Sequence, residues 1–276
     1  MLIAIVILLI GLCVGIYRRT RVRTWHYDAA APELPAALKD PLILVFSKTN
    51  GYRHAKAIPA ANAAIASLAE KNGWSVFFTE NGAVFNPANL LRFRATIWNN
   101  TSGDLLNEQQ KQAFRSYIEN GGGFVGIHGA GGDFSYDWRW YVETLIGAQF
   151  IGHTLMPRFP TATIHVENHD HPATKTLPHE WVRSDEWYSF KESPRAQGAT
   201  VLATLDETTY RPRMVTKNLR MGSDHPIIWK HCVGKGRVFY SALGHTASAY
   251  REPNYVAVLQ AAIAWAARLE GSGCLQ

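Results

Sequence analysis

Four residues that can transfer protons or bind metals each lie beside a glycine or an aromatic residue: His128, His153, Glu186 and His245. Imidazole and carboxylate groups bind zinc, manganese or iron, and they also serve as general bases and acids. The spacings between the four are long and irregular, so the metal site and the acid–base site both stay open. A further motif, His169-Asp170-His171, is followed by proline, which is typical of a surface turn, and we assign it a structural role.

The most distinctive local pattern is the glycine-rich stretch Phe124–Tyr141, FVGIHGAGGDFSYDWRWY. It begins as an apolar, strand-like run, turns through four glycines, and continues as an aromatic, charged segment that predicts the start of a helix. Glycines at such a turn permit positive φ and close approach of the backbone. The turn places His128 at the carboxyl edge of a sheet, where open α/β folds bind ligands. We expect His128 to be an exposed turn residue that acts as base, acid or metal ligand.

Composition narrows the possible functions. The 276 residues, of which 47% are hydrophobic, are enough for one α/β domain. Four of the six excess positive charges come from Arg18, Arg19, Arg21 and Arg23, which leaves +2 for the rest. Without a basic stripe interleaved with aromatic residues, we expect no nucleic-acid partner. Of the three cysteines, Cys13 lies in an apolar run and Cys274 in the tail, so we expect no disulfide framework. The absence of a CxxC pair excludes a zinc ribbon, and Cys232 has no activating partner in the sequence, so we expect no catalytic cysteine.

The N-terminal segment Met1–Tyr17 is uncharged and apolar on every face, and its length approaches the about 17–25 residues of a membrane helix. A cleaved signal peptide is the competing interpretation, but nothing basic precedes the run and no small-x-small site closes it. We therefore expect an uncleaved, single-pass membrane anchor over residues 1–17, with the membrane side left open. Residues 18–38 predict a linker, residues 39–270 one α/β domain, and residues 271–276 a tail.

Strands and helices alternate in the first half of the domain. Apolar runs predict strands at Leu42–Phe46, Trp74–Thr79, Ala95–Trp98 and Phe124–Ile127. Helical spacing predicts helices at Ala55–Asn72 and Asn107–Asn120. This alternation is typical of βαβ units, so the four strands should be neighbours in one parallel sheet. The second half is richer in β-structure, with four short strands and a closing helix expected at Thr161–Glu167, Thr200–Leu205, Ile227–Trp229, Arg237–Tyr240 and Pro253–Leu269.

Taken together and in order, several short motifs resemble the ThuA-like family, which is named after a trehalose-utilisation protein. They are Thr49–His54, Gly126–Gly129, Trp138–Tyr141, Gly147–His153, His171-Pro172, Asp185–Tyr188, Gly234–Tyr240 and Leu243–His245. The resemblance covers Leu42–Leu269 and implies a flavodoxin-like, class I glutamine-amidotransferase-like α/β fold, with a mainly parallel sheet and flanking helices. In amidotransferases the turn after the corresponding strand carries a cysteine, where this chain has His128. Thioester chemistry needs a thiolate there, so amidotransferase activity is excluded.

The resemblance also implies a role in disaccharide catabolism, including sugars oxidised to keto forms. A keto group acidifies the neighbouring C–H bond, so a base and an electrophile could drive elimination, isomerisation or hydrolysis. His128 or His245 would be the base, and Glu186 would be the acid or a metal ligand. Arg53 or a divalent ion would stabilise the negative charge on the substrate oxygen.

These roles define a predicted binding site. We expect the carbohydrate to contact Arg53, His54, Trp138, Asp185 and Tyr188, because aromatic faces stack on sugar rings while polar groups bind hydroxyls. One zinc or manganese ion would be held by His128, His153, Glu186 and His245, and no nucleotide cofactor is expected. A non-catalytic sugar-binding or regulatory module and a membrane-tethered scaffold are the alternatives, because fold alone does not define function.

Overall fold

The computed structural model describes residues 25–274. Its strands, in chain order, are β1 (Leu42–Phe46), β2 (Ser75–Thr79), β3 (Ala95–Asn99), β4 (Gly123–Ile127), β5 (Phe150–His153), β6 (Thr161–Val166), β7 (Glu180–Ser184), β8 (Tyr188–Phe190), β9 (Thr200–Leu205), β10 (Arg213–Met214), β11 (Lys217–Asn218), β12 (Pro226–Val233) and β13 (Gly236–Ser241). Its α-helices are α1 (Ala57–Asn72), α2 (Pro87–Leu90), α3 (Glu108–Glu119) and α4 (Pro253–Ala266).

A nine-stranded sheet in the order β2-β1-β3-β4-β13-β12-β9-β6-β7 forms the centre of the domain. Its first five strands, from β2 to β13, are parallel. Strands β1, β3 and β4 are buried along their whole length, because both faces of a parallel sheet are covered, and they therefore read as continuous apolar runs. The prediction that the first four strands are neighbours in one parallel sheet is confirmed, as is the α/β fold class.

The other half of the sheet is antiparallel, and it is formed by the second half of the sequence, which was expected to be richer in β-structure. Strand β12 pairs with β13 through the turn at Gly234-Lys235, and β9, β6 and β7 follow outward from it. A separate two-stranded sheet pairs β5 with β8 and sets His153 opposite Tyr188. This small sheet was not predicted, and it places two of the candidate site residues side by side.

Local sequence explains where the helices begin and end. The Asn107 side chain accepts a hydrogen bond from the backbone N–H of Gln110, and the Gln110 side chain accepts one from the backbone N–H of Asn107. This capping box satisfies two backbone donors at the start of α3. Helix α1 ends at Gly73, whose φ of +69° favours glycine. Helix α1 packs beside α4, and α2 packs beside α3. The connection from β1 to β2 runs across the sheet in the direction opposite to the connections from β2 to β3 and from β3 to β4. Right-handed crossovers therefore put α1 on one face and α2 and α3 on the other, with α4 beside α1.

The segment after β4 does not form the predicted α-helix. A short 3-10 turn, His128–Gly131, follows the strand directly, and Trp140–Ile146 forms a π-helical stretch. Stretches of π-helix are rare and occur frequently at functional sites. From this stretch Tyr141 donates its hydroxyl to the carbonyl oxygen of Ala130 at 2.6 Å, which fixes the glycine-rich turn.

A disulfide and an arginine hold the C-terminal end of the described chain. Cys232 of β12 is bonded to Cys274, 42 positions further along the chain. Arg237 of β13 donates to the carbonyl oxygens of Trp265 and Gly271 at 2.9 and 3.1 Å. The expectation that the cysteines form no disulfide is therefore wrong. Their separation in the sequence carries no signal, because only the packing of α4 against the sheet brings the two thiols together.

Residues 25–38 of the predicted linker lie against the domain. The Asp28 carboxylate forms an ion pair with Lys48, and Tyr27 donates its hydroxyl to Asp104 at 2.7 Å. Within residues 25–274 no helix is long and apolar enough to cross a bilayer, so this part of the chain gives no support to the predicted membrane anchor. The segment Met1–Tyr17 itself lies outside the described residues. The expected membrane partner and membrane localisation are corrected accordingly.

Candidate metal centre

Three histidines and one glutamate converge at the carboxyl edge of the parallel strands. His54 lies in the loop after β1, His128 follows β4 directly, His245 lies in the loop after β13, and Glu186 lies between β7 and β8. Each offers one donor atom, and the four atoms all lie within 4.8 Å of one another. Residues distant in the chain meet here because parallel strands carry the loops that follow them to one edge of the sheet.

The shortest distances in this His/Glu group join His128, Glu186 and His245. Nε2 of His128 lies 3.0 Å from Nδ1 of His245 and 3.4 Å from Oε2 of Glu186. The distance between Nδ1 of His245 and Oε2 of Glu186 is 2.9 Å. Ligand atoms that bind one ion at about 2.0–2.2 Å lie about 2.8–3.6 Å apart in octahedral or tetrahedral geometry. The three atoms therefore form a triangle of the size that a zinc or manganese ion requires.

Hydrogen bonding and packing fix the tautomer and orientation of His128. Its Nδ1 lies 2.7 Å from the carbonyl oxygen of Ala242, so Nδ1 carries the proton and donates it, and the lone pair of Nε2 faces the His/Glu group. The ring stacks on Tyr188 at a centroid distance of 4.1 Å. His128 is fully buried and adopts a φ of +45°, which is uncommon outside glycine. The expectation of an exposed turn residue is therefore wrong, although the position at the strand end is as predicted.

The glycines of this turn permit the close contacts. A Cβ atom at Gly132 would lie 2.0 Å from Cε2 of Tyr188, and one at Gly129 would lie 3.1 Å from Cε1 of His54. A side chain at position 132 would displace Tyr188 from the His128 ring.

Burial and mutual charge set the protonation states of the group. Burial, reinforced by the charges of His128 and His245, lowers the pKa of His54 to about 2. Burial also lowers the pKa of His245, although the hydrogen bond with Glu186 opposes this. Burial raises the pKa of Glu186, but hydrogen bonds and charges from His128 and His245 outweigh it and hold that pKa below its usual value. Neutral imidazoles and an ionised carboxylate are the forms that bind metals.

His54 provides an independent test of whether a metal fits. Among the described residues its buried Nδ1 finds no hydrogen-bond partner, although buried polar atoms are as a rule paired. Its ring meets those of His128 and His245 edge-on, at centroid distances of 5.0 and 4.7 Å. An incompletely paired imidazole beside two further imidazoles and a carboxylate is a donor set that suits a divalent ion.

Arg158 bonds to the second oxygen of Glu186, and His153 lies close to it. Oε1 accepts a hydrogen bond from Nε of Arg158 at 2.6 Å and lies 3.2 Å from Nδ1 of His153. The structure thus places His153, predicted as a metal ligand, on the far side of Glu186, and brings His54 into the group of four in its place. Sequence reasoning missed Arg158, whose only signal is a single charge in an apolar, proline-containing loop.

Asp185, predicted to bind substrate, is fully buried and faces protein groups. Its carboxylate accepts hydrogen bonds from the backbone N–H groups of Glu186, Gly244 and His245 at 2.9, 2.9 and 3.2 Å. Arg183 lies 3.1 Å from it and balances its charge. Asp185 therefore ties together the backbones of two members of the His/Glu group, which come from different loops.

Two other predicted substrate contacts are not brought to the group. The guanidinium of Arg53 donates to Glu80 at 3.0 and 2.6 Å, and both side chains are about half exposed. Trp138 packs in a separate aromatic cluster, with its ring centroid 5.1 Å from Trp140 and 5.7 Å from Tyr141. The motif at His169–His171 also lies apart from the group. It precedes a turn in which the carbonyl oxygen of His171 accepts from the backbone of Thr174, as expected, and the His171 side chain is buried against Trp265.

A cleft of about 890 Å³ opens onto the His/Glu group. This volume is within the about 300–1,000 Å³ of small-molecule sites. Its walls combine two members of the group, His54 and Glu186, with aromatic and polar residues from several loops: Trp25, Asn50, Tyr52, Ser102, Asp133, Phe134, Phe150, His153, Arg158 and Tyr188. His54 and Tyr188, both predicted to contact substrate, are among them.

The parallel sheet with helices on both faces and a site at its carboxyl edge defines a flavodoxin-like, class I glutamine-amidotransferase-like protein. The fold is similar to that of a ThuA-like protein from Bacteroides uniformis, with a TM-score of 0.72 and 26% identity over 86% of this chain and 95% of that one. A ThuA-like protein from Parabacteroides merdae gives a TM-score of 0.65 and 18% identity over 86% and 93%. A cytoplasmic protein from Salmonella typhimurium gives a TM-score of 0.53 and 12% identity over 81% of this chain and 98% of that one. A similarity at this level shows the fold alone.

The sequence profile of the ThuA family, described as trehalose utilisation, matches residues 42–266. This chain belongs to the ThuA family, and the resemblance found in its sequence is confirmed. No curated protein matches it. The family indicates a carbohydrate-related role. The Salmonella protein's description as cytoplasmic applies to that protein, and it gives no support to the membrane anchor that we expected.

Proposed function

We propose that this protein is a metal-dependent enzyme that acts on a sugar oxidised to a keto form. The observation that carries the proposal is the convergence of His54, His128, His245 and Glu186 beside the cleft, with donor atoms within 4.8 Å of one another. Such nitrogen and oxygen donor sets suit zinc or manganese. The ThuA family supports the substrate class, because its description is trehalose utilisation.

Burial and hydrogen bonding support different roles for the individual histidines. His128 is fully buried with Nδ1 bonded to Ala242, so it serves as a ligand and not as a base that touches substrate. His153 lines the cleft with 24% of its side chain exposed, which makes it the better base. Its Nδ1–H donates to the carbonyl oxygen of Thr154 at 2.8 Å, which leaves Nε2 free to accept a proton.

Arg158 supplies a fixed positive charge at the cleft. Burial lowers the pKa of its guanidinium, but the hydrogen bond to Glu186 outweighs this and raises the pKa, so the group stays cationic. Its charge would stabilise the negative charge that develops on the carbonyl oxygen when the neighbouring C–H bond loses its proton. A divalent ion bound by the His/Glu group would polarise the same oxygen.

The reaction that follows from these positions is proton transfer next to a carbonyl. The proton moves from carbon to Nε2 of His153, and the electron pair of the C–H bond moves towards the carbonyl oxygen. Return of the proton to the former carbonyl carbon, with the hydroxyl proton moving from the neighbouring oxygen to the former carbonyl oxygen, gives an isomerisation. Loss of a substituent from the carbon on the other side of the deprotonated carbon gives an elimination, in which the substituent leaves with its bonding electron pair and takes the proton held by His153. Both outcomes need one base and one site for the developing negative charge, which His153 and Arg158 provide.

Metal content tests the first half of the proposal. The purified protein should hold close to one equivalent of zinc or manganese by inductively coupled plasma mass spectrometry, and His128→Asn should lose it. His179→Asn is the matched control, because His179 is exposed and is not a member of the His/Glu group. Failure of the wild-type protein to retain or take up either metal would refute the metal-dependent mechanism.

Solvent exchange tests the second half. With glucose oxidised at carbon 3 in deuterated water, the wild-type protein should accelerate exchange of the hydrogen beside the keto group, measured by proton NMR. His153→Asn should slow this exchange by about 10²–10⁴-fold while metal content is unchanged. A wild-type protein that binds both metal and sugar without accelerating exchange would be a sugar-binding module and not an enzyme.

A further inference from the structure

The part of the cleft beyond the His/Glu group is aromatic, and the proposed chemistry does not use it. One aromatic wall leads outward from His128: Tyr188 stacks on His128, Phe150 lies 4.6 Å from Tyr188, and Phe134 lies 4.7 Å from Phe150, measured between ring centroids. Phe134 ends this series with 65% of its surface exposed. Exposed apolar side chains that are grouped around a cleft, unlike single scattered ones, can mark a ligand-binding surface.

A second aromatic group lies around Arg158. The guanidinium carbon of Arg158 lies 5.8 Å from the ring centre of Tyr52 and 5.4 Å from that of Phe159. Tyr52 is 58% exposed and meets His54 edge-on at 4.8 Å. Tyr52 and Phe134 line the same cleft, so two exposed aromatic side chains from different loops border its outer part.

The polar side chains of this outer part are already bonded to the protein. The amide nitrogen of Asn50 donates to the carbonyl oxygens of His26 and Asp104. Ser102 donates its hydroxyl to the carbonyl oxygen of Tyr52 at 2.6 Å. Asp133 accepts from the backbone of Gly103 at 2.6 Å with one oxygen and from Ser135 with the other. Because these polar groups already hydrogen-bond within the protein, the aromatic faces are the main surface for recognising a ligand. Such a surface suits a planar apolar group better than a second hydroxyl-rich sugar.

We propose that the ligand of this cleft is a glycoside with a planar aromatic aglycone. The sugar faces the His/Glu group, and the aglycone packs on Phe134 and Tyr52. The volume of about 890 Å³ lies towards the upper end of the small-molecule range and accommodates both parts together. This assignment rests on the proposed function, because the orientation of the sugar is set by the proposed metal centre.

Binding measurements test the assignment without using turnover. Isothermal titration calorimetry on the metal-loaded protein would compare phenyl and methyl glucosides of one anomeric form with trehalose, each oxidised at carbon 3 of a glucose unit. The phenyl glucoside should bind at least about 10-fold more tightly than the methyl glucoside, because the ring adds both buried apolar area and aromatic contact. Phe134→Ala should remove most of this preference. Phe78→Ala is the control, since Phe78 is 39% exposed on β2 and does not line the cleft.

The possible outcomes separate this inference from the proposed function. Equal affinity for the phenyl and methyl glucosides, tighter binding of the oxidised trehalose, an unchanged preference in Phe134→Ala, or no binding at all would each overturn the aromatic assignment. A phenyl preference that depends on Phe134, without any exchange of the hydrogen beside the keto group, would overturn the proposed reaction and support the aromatic binding surface. Exchange of this hydrogen without a preference for the phenyl glucoside would support the proposed reaction and overturn the assignment of an aromatic aglycone.

Discussion

Asp185→Asn removes one charge from the most heavily bonded carboxylate near the His/Glu group while keeping its shape. The carboxylate accepts from three backbone N–H groups, those of Glu186, Gly244 and His245, and pairs with Arg183. An amide has only one acceptor oxygen, so its nitrogen must face an N–H donor or the guanidinium. At least one buried hydrogen bond is therefore lost, and within residues 25–274 the acidic partner left to Arg183 is Glu252, at 3.2 Å.

The size of the effect follows from burial. Asp185 has no exposed surface and Arg183 is 7% exposed, so water does not replace the lost partner. Breaking a buried ion pair from one side costs about 3–5 kcal/mol in free energy of unfolding. Because Glu186 and His245 are held by the same carboxylate, the substitution should also weaken metal binding by about 10–100-fold, the usual effect of residues that orient metal ligands.

Two assays separate these effects. Urea unfolding of the metal-free protein gives the change in stability, and competition with a chromophoric chelator gives the zinc affinity of the folded protein. The control is Asp40→Asn, which breaks the exposed pair with Arg94 and should cost less than about 1 kcal/mol without changing zinc affinity. The reasoning fails if Asp185→Asn unfolds at the same urea concentration as the wild type, or if its zinc affinity is unchanged once folded.

Three further predictions follow from the packing. Reduction of the Cys232–Cys274 disulfide should lower the free energy of unfolding by about 2–4 kcal/mol, which denaturant unfolding with and without reductant measures; equal midpoints would contradict it. Burial lowers the pKa of His171 to about 4, so the unfolded chain binds the extra proton and stability should fall as pH drops from 6.5 towards 4, by about 3 kcal/mol; His171→Gln should flatten that part of the pH dependence of unfolding, and an unchanged curve would refute the assignment. Gly132→Ala should displace Tyr188 and reduce metal affinity at least about tenfold by chelator competition while the far-UV circular dichroism stays the same, and wild-type affinity would contradict the contact.

Much of the architecture could be predicted from the sequence because its causes are local. A run such as Leu42–Phe46 can bury every side chain only as a central strand, and Asn107 with Gln110 forms a capping box from residues three positions apart. Local sequence also predicted the position of His128 at the end of β4, because an apolar strand followed by several glycines is expected to turn at that point. Alternating strands and helices then required a parallel sheet, whose carboxyl edge gathers the loops that hold the site.

The tertiary structure alone decided which residues face one another at that edge. The choice of His54 over His153 in the His/Glu group depends on distances between loops that follow different strands, and no spacing in the chain encodes them. The burial of Asp185, the contact of Arg158 with Glu186, and the pairing of cysteines 42 positions apart have the same origin. Each depends on how separate elements pack on a common core, where a shift of one or two ångströms makes or breaks a hydrogen bond. Local sequence determined most of the strands and helices and their order, and the packing between them determined which side chains meet at the site.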